Sequence, residues 1–164
     1  MDKLCAYALA TGQGQSPEIT REMVEDMVPK STETTVFLLA NALVAGDYEK
    51  AYGLLDVLFS QNEEPIAIRG GLGASYVDRY RGRAALESGH AYQDAAQYGD
   101  YKGRDFRLRN AQKNVRSISQ GVLRQSLHLL LEADLALKGS RLEARIILDE
   151  LIAKLLLAPQ EDRA

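Results

Sequence analysis

The sequence predicts an all-α fold, several antiparallel helices around one apolar core. Three observations predict it. Apolar residues recur at helical spacing in segment after segment, and residues that stop or cap helices stand between those segments. The composition, 46% hydrophobic and 26% charged, is that of an ordinary globular protein. A chain of 164 residues can hold one such domain and a short additional segment, burying roughly 70% of its unfolded surface.

Taken in order, Thr11–Pro17 (TGQGQSP) clusters three kinds of turn-favouring residue and is the linker candidate. It divides residues 1–17 from a helical domain over 18–164. Val36–Val44 is apolar nearly all round apart from Asn41, as in a helix packed on several sides. Gly46 stops that helix, and Asp47 is placed to cap the next, in which Ala51, Leu54, Leu55, Leu58 and Phe59 fall at helical spacing. Asn62, Glu63 and Glu64 set acceptors and negative charge at the start of a third helix, with Pro65 tolerated in its first turn. This helix, Glu64 to about Glu87, contains RGGLG at Arg69–Gly73. Each helical glycine costs about 1 kcal/mol relative to alanine, so close backbone packing or a kink must compensate. A phosphate-cradling loop would need a strand before it and a Lys-Ser/Thr pair after it, and neither is present.

Tyr101–Ser117 carries the strongest charge pattern, with Lys102, Arg104, Arg107, Arg109, Lys113 and Arg116 opposed by Asp105 alone. On one helix Leu108, Ala111, Val115 and Ile118 form an apolar stripe, and Lys102, Arg109, Lys113 and Arg116 gather on the opposite face. That face is either a solvated surface or a contact for DNA phosphates or an acidic neighbour. Arg79, Arg81 and Arg83 alternate, which scatters them around a helix, and they read mostly as surface residues, with an ion pair as the other role for Arg79. Ser126–Ser140 is the next helix, with Gly139 and Ser140 suited to end it and cap the last one, Leu142–Leu157. In that last helix Leu148, Leu151, Ile152, Leu155 and Leu156 offer more apolar width than one core face requires, which marks them as a subunit-interface candidate.

Catalytic patterns are thin. Cys5 is the only cysteine, which rules out an internal disulfide and a cysteine-rich zinc module. His90 falls in a loop-like segment and His128 reads as a partly buried helix residue, without ligand or nucleophile spacing. Glu132 and Asp134 are two apart and face different directions, so capping and ion pairing suit them better than a shared site. Asp134 with Lys138 and Glu150 with Lys154 are helical ion pairs. No catalytic residue, metal ligand or cofactor is expected. A net charge of −3 and a pI near 5.5 confine any nucleic-acid contact to a local patch. No apolar stretch reaches about 18 residues, and no leader pattern is visible, so the chain reads as cytoplasmic.

The order of features from Val36 to Ile68, helix, turn, helix, polar break, helix, resembles the C-terminal domain of the bacterial DNA polymerase III clamp-loader delta subunit. Ser126–Ser140 (SLHLLLEADLALKGS) resembles the penultimate helix of that domain, and Leu142–Leu157 follows in order. Ile19, Thr20, Val24 and Val28 resemble the segment entering it, and Lys3–Ala10 the tail of the preceding lid domain. The resemblance implies a non-catalytic collar domain that joins delta to the gamma or tau and delta-prime subunits, in a ring that loads the sliding clamp onto primed DNA. It also implies a truncated chain, without the first domain that grips the clamp. The stretch Gly89–Tyr101 matches only loosely. A helical-repeat adaptor is the rival reading, because GDYEKAYGLL resembles a helix of a tetratricopeptide unit; yet GDY recurs 53 residues on rather than about 34, with a different sequel.

Overall fold

The computed structural model describes residues 31–102, 105–112 and 115–161. The linker Thr11–Pro17, the lid-like segment and the 17/18 boundary lie outside them, as does Lys113. The described helices belong to a compact unit that begins at Thr32. All of their regular structure is helical: α1 Thr32–Ala45, α2 Tyr48–Ser60, α3 Pro65–Glu87, a 3₁₀ segment Tyr92–Tyr98, α4 Asp105–Gln112, a 3₁₀ turn Val115–Ser117, α5 Gln120–Gly139 and α6 Ala144–Glu161.

The first three helices are ended by one device, used three times. Gly46 (φ 73°) follows α1, Asn62 (φ 56°) follows α2 and Gly89 (φ 75°) closes the end of α3. At the first, the Gly46 N–H donates to the Leu43 carbonyl (3.2 Å) and the Asp47 N–H to the Ala42 carbonyl (3.0 Å). The same pair of bonds recurs from Asn62 and Glu63 to Phe59 and Leu58, and from Gly89 and His90 to Leu86 and Ala85. This is the Schellman arrangement, which satisfies carbonyls that a helix end leaves open. Asp47 then starts α2 as expected, its Oδ1 accepting from the Lys50 N–H at 3.1 Å. Asn62 has a different role from the one its polar type suggested, because it ends α2 rather than starting α3. Ser119 caps α5 through the Val122 N–H (3.1 Å).

Helix α3 is the axis of the fold, packing against α1, α4, α5, α6 and both 3₁₀ segments. Its N-terminal half joins α1, α2, α5 and α6 in the main core, where Leu39, Leu43, Leu55, Leu58, Ile68, Leu72, Leu123 and Leu148 are fully enclosed. A smaller core forms under its C-terminal half from Ala85, Tyr92, Ala95, Tyr101, Leu108, Ala111 and Val115. Two glycines let α3 sit this close. A Cβ at Gly71 would lie 2.8 Å from Val36 Cγ1, and one at Gly82 would lie 1.8 Å from the Tyr92 ring. Close packing therefore accounts for Gly71, while Gly70 meets nothing within 4 Å. The RGGLG segment lies inside one helix, Pro65–Glu87.

Two expected helix limits move. The basic segment is α-helical only over Asp105–Gln112, followed by the separate turn Val115–Ser117, yet the stripe Leu108, Ala111, Val115 and Ile118 is buried throughout. Its members stay three or four apart, so helical turns of either pitch keep them on one side. Gly139 is the last residue of α5 rather than a cap; Ser140 stands after it, its Oγ accepting from the Leu142 N–H (2.9 Å), and α6 starts at Ala144.

Candidate interaction surfaces

Three groups of side chains rise above the helical scaffold: a buried polar network on α3, the outer rows of α5 and α6, and the basic segment. The network begins with Asp78 and Arg79, adjacent and both buried. Asp78 accepts from the Tyr101 hydroxyl at 2.6 Å and from Arg107, whose Nε and Nη2 lie 3.0 and 2.9 Å from Oδ2. Arg107 also lies over the Tyr101 ring, and the Tyr92 hydroxyl donates to the Asp78 carbonyl (3.3 Å). These bonds tie the start of α4 and the segment before it to α3.

Arg79 corrects the surface reading given to it, being 0% exposed. Its Nη1 donates to the Ser75 carbonyl (3.0 Å) and to the Ser75 hydroxyl, its Nη2 to Asn41 Oδ1 (2.5 Å), and it lies 5.7 Å from the Phe37 ring centre. Burial lowers its pKa, with Tyr76, Tyr92 and Asp78 acting against that shift. Neither of its two roles was the expected one: it bonds neutral acceptors and links α3 to α1. The signal lay in its position, since Ile68, Leu72, Ser75, Tyr76 and Arg79 follow one helical stripe. Arg81 and Arg83 are half-buried; Arg81 donates to the Tyr101 hydroxyl (3.3 Å), and Arg83 pairs with Glu87 (2.7 Å).

On α6 the structure overturns the expected interface set. Leu148, Leu151, Ile152, Leu155 and Leu156 are at most 2% exposed and belong to the main core. The excess apolar width of this helix is used inside the chain, where it packs against α1, α2, α3 and α5. Exposed apolar residues lie elsewhere on the same hairpin: Leu131 and Leu135 on α5, Leu142 before α6, Ile146 and Leu157 on it, at 47% to 63% exposure. Leu131 and Leu135 are one helical turn apart and therefore neighbours. These residues went unnoticed because burial, not hydrophobicity, separates them from the leucines beside them. An ionic cluster fixes α6 to α2 below: Arg145 contacts Asp56 (2.6 Å) and Asp149 (3.0 Å), covers the Phe59 ring, and has its pKa raised by the hydrogen bonds to Asp149 and Asp56.

In the basic segment Lys102, Arg109 and Arg116 are exposed, and none forms an ion pair with another described side chain. Arg107, by contrast, is spent on Asp78. Arg116 and Arg83 line a cavity of about 230 Å³ with Ser117, Ser119 and Val122.

Little here suits catalysis. His128 is 71% exposed rather than partly buried and pairs with Glu132 at 3.3 Å. Asp134 turns the other way, to Lys138 (2.8 Å) and Arg69 (3.5 Å), and Lys154 meets Glu150 at 2.7 Å, as the spacing predicts. Among the described residues no three of His, Cys, Asp and Glu converge as metal ligands, and no helix is long and apolar enough to cross a membrane. The cavity of about 420 Å³ between α1, α3 and α4 has Asp78 and Arg107 in its wall, already paired with each other.

By class the described residues form an all-α helical domain, with exposed apolar side chains on its last hairpin and a separate basic segment. Residues 33–155 match the family described as "DNA polymerase III delta subunit, C-terminal domain", and the chain belongs to that family. The DNA polymerase III subunit delta of Bacillus subtilis (strain 168) is 26% identical over 156 residues, 95% of this chain and 43% of that protein. A solved structure, the Bacillus subtilis DNA clamp loader delta protein (YqeN), matches with a TM-score of 0.74 and 26% identity, over 94% of this chain and 44% of that one. The chain therefore spans less than half the length of either relative. Family membership leaves the repeat-adaptor reading without support.

Proposed function

We propose that this chain is the subunit-association domain of a clamp-loader delta subunit, a non-catalytic part of the DNA polymerase III assembly. The observation that carries this reading is the family match across residues 33–155. Its partners in the ring are the C-terminal domains of the gamma or tau and delta-prime subunits. Its action is positional: it holds delta in the ring while ATP-driven motion occurs in other domains, and the ring places the sliding clamp on primed DNA. Contact with the clamp is assigned to another domain of delta and to no residue of this chain.

The interface is proposed at Leu131, Leu135, Leu142 and Ile146, which are 49% to 63% exposed. Protein interfaces place such residues at a dry centre with a polar rim, and here His128, Glu132 and Glu143 supply rim groups. Calorimetric titration against the partner domains tests this. Leu135→Ser with Ile146→Ser should weaken association at least about tenfold and leave the melting temperature nearly unchanged. Leu151→Ala should instead destabilise the fold by about 2–5 kcal/mol, because its side chain is in the core. Unaltered affinity in the first variant would remove the interface from this face.

A further inference from the structure

The basic segment stands out by its charge and by what its described side chains leave outside. Among the described residues the exposed large apolar side chains are Tyr48, Val57, Ile66, Tyr98 and five between Leu131 and Leu157, and none falls between Tyr101 and Ser119. The segment's own apolar stripe points inward, into the two cores. The described side chains outside are Lys102, Arg109, Gln112, Arg116 and Ser117, all cationic or hydrogen-bonding. By count, Tyr101–Ser117 carries six cations against one anion, within a chain of net charge −3. A protein partner of ordinary kind needs a dry apolar patch, and the described side chains of this segment offer none on the outside. A phosphate backbone needs only charge and donors.

From this face we infer a second binding surface, distinct from the apolar rows: Lys102, Arg109 and Arg116 hold the phosphate backbone of duplex DNA. The inference rests on the clamp-loader reading, which makes DNA the polyanion at hand. Arg116 extends the surface into the cavity it shares with Arg83, Ser117 and Ser119, whose lining has no acidic side chain. The segment is also held firmly, since Arg107 and Tyr101 anchor it on buried Asp78. Fixed cations lose less freedom on binding than mobile ones, and here the internal ion pair fixes the frame on which the external cations stand. A single strand would stack its bases on exposed aromatic rings, and the described residues from Tyr101 to Ser117 present none.

The test is the anisotropy of a short labelled duplex titrated with the whole chain at several salt concentrations. The comparison is the triple variant Lys102→Gln, Arg109→Gln, Arg116→Gln, whose residues are all exposed and whose fold is checked by its melt. Each lost phosphate contact lowers the salt slope by about one, so the slope should fall by about three. Over a fourfold rise in salt the wild type should then lose about 40-fold more affinity than the variant. An equal slope, no binding at low salt, tighter binding of single-stranded DNA, or preferential binding of poly-glutamate would each overturn the assignment, the last in favour of an acidic protein partner. Association of the same variant with the gamma or tau and delta-prime domains, measured in parallel, separates the two proposals. Normal association with an unchanged salt slope defeats this inference alone, whereas failed association of the wild type defeats the loader reading.

Discussion

Asp78 and Arg79 are neighbours in sequence and both buried, yet each answers to a different set of partners. Asp78 is neutralised by Arg107 and bonded by Tyr101, while Arg79 depends on Ser75, Asn41 and the Phe37 ring. Removing one member of a buried ion pair strands the other charge, at a cost of about 3–5 kcal/mol. Arg107 is partly exposed, so Asp78→Ala should cost about 3 kcal/mol in urea unfolding; a loss under about 0.5 kcal/mol, the size typical of surface changes, would show that the network contributes no stability. The tyrosines give a pH prediction. Burial pushes the Tyr76 and Tyr92 phenols well above the ordinary value of 10.0, against the lowering effect of Arg79. The folded state then binds these protons more tightly than the unfolded state. Their contribution is complete below pH 10.0 and is lost as pH rises above it. Stability should therefore fall from about pH 10 upward, with these two phenols ionising, by absorbance, only as the chain unfolds.

Among the elements, α3 shows best what a sequence reveals and what it hides. Its length and its helical character despite RGGLG were legible from periodicity, and so were the stop at Gly46 and the cap at Asp47. The inward stripe of the basic segment was legible for the same reason. The fate of single residues was not. Periodicity fixes which residues share a face but not which face is covered twice, so the leucines of α6 read as surplus until the packing of α1, α2, α3 and α5 around them is known. Alternation alone likewise placed Arg79 outside, although its register with Leu72 and Tyr76 placed it within. Glycine shows the same limit: Gly70 and Gly82 look alike in sequence and differ wholly in space. Gly82→Ala should drive a methyl into the Tyr92 ring and cost about 1–3 kcal/mol or more. Gly70→Ala meets open space and should add about 0.5–1 kcal/mol of helix stability. Thermal melts of the two variants moving in the same direction would contradict the packing described for α3.

At the scale of the whole molecule, two cores along one long helix place two unlike surfaces on one frame. The main core presents the apolar rows of α5 and α6, and the smaller core presents the cations of the basic segment. On the proposed reading Lys102 and Arg109 stand over the smaller core, whereas the apolar rows stand over the main one. Damage under the C-terminal half of α3 should therefore weaken polyanion binding before it weakens association. The measurement that tests the central claim most directly is light scattering after gel filtration of this chain, alone and mixed with the C-terminal domains of its own gamma or tau and delta-prime subunits. The account predicts a stable mixed complex, with a mass equal to the partners plus the 18.1 kDa of this chain. Separate elution of a folded chain from those partners would contradict it.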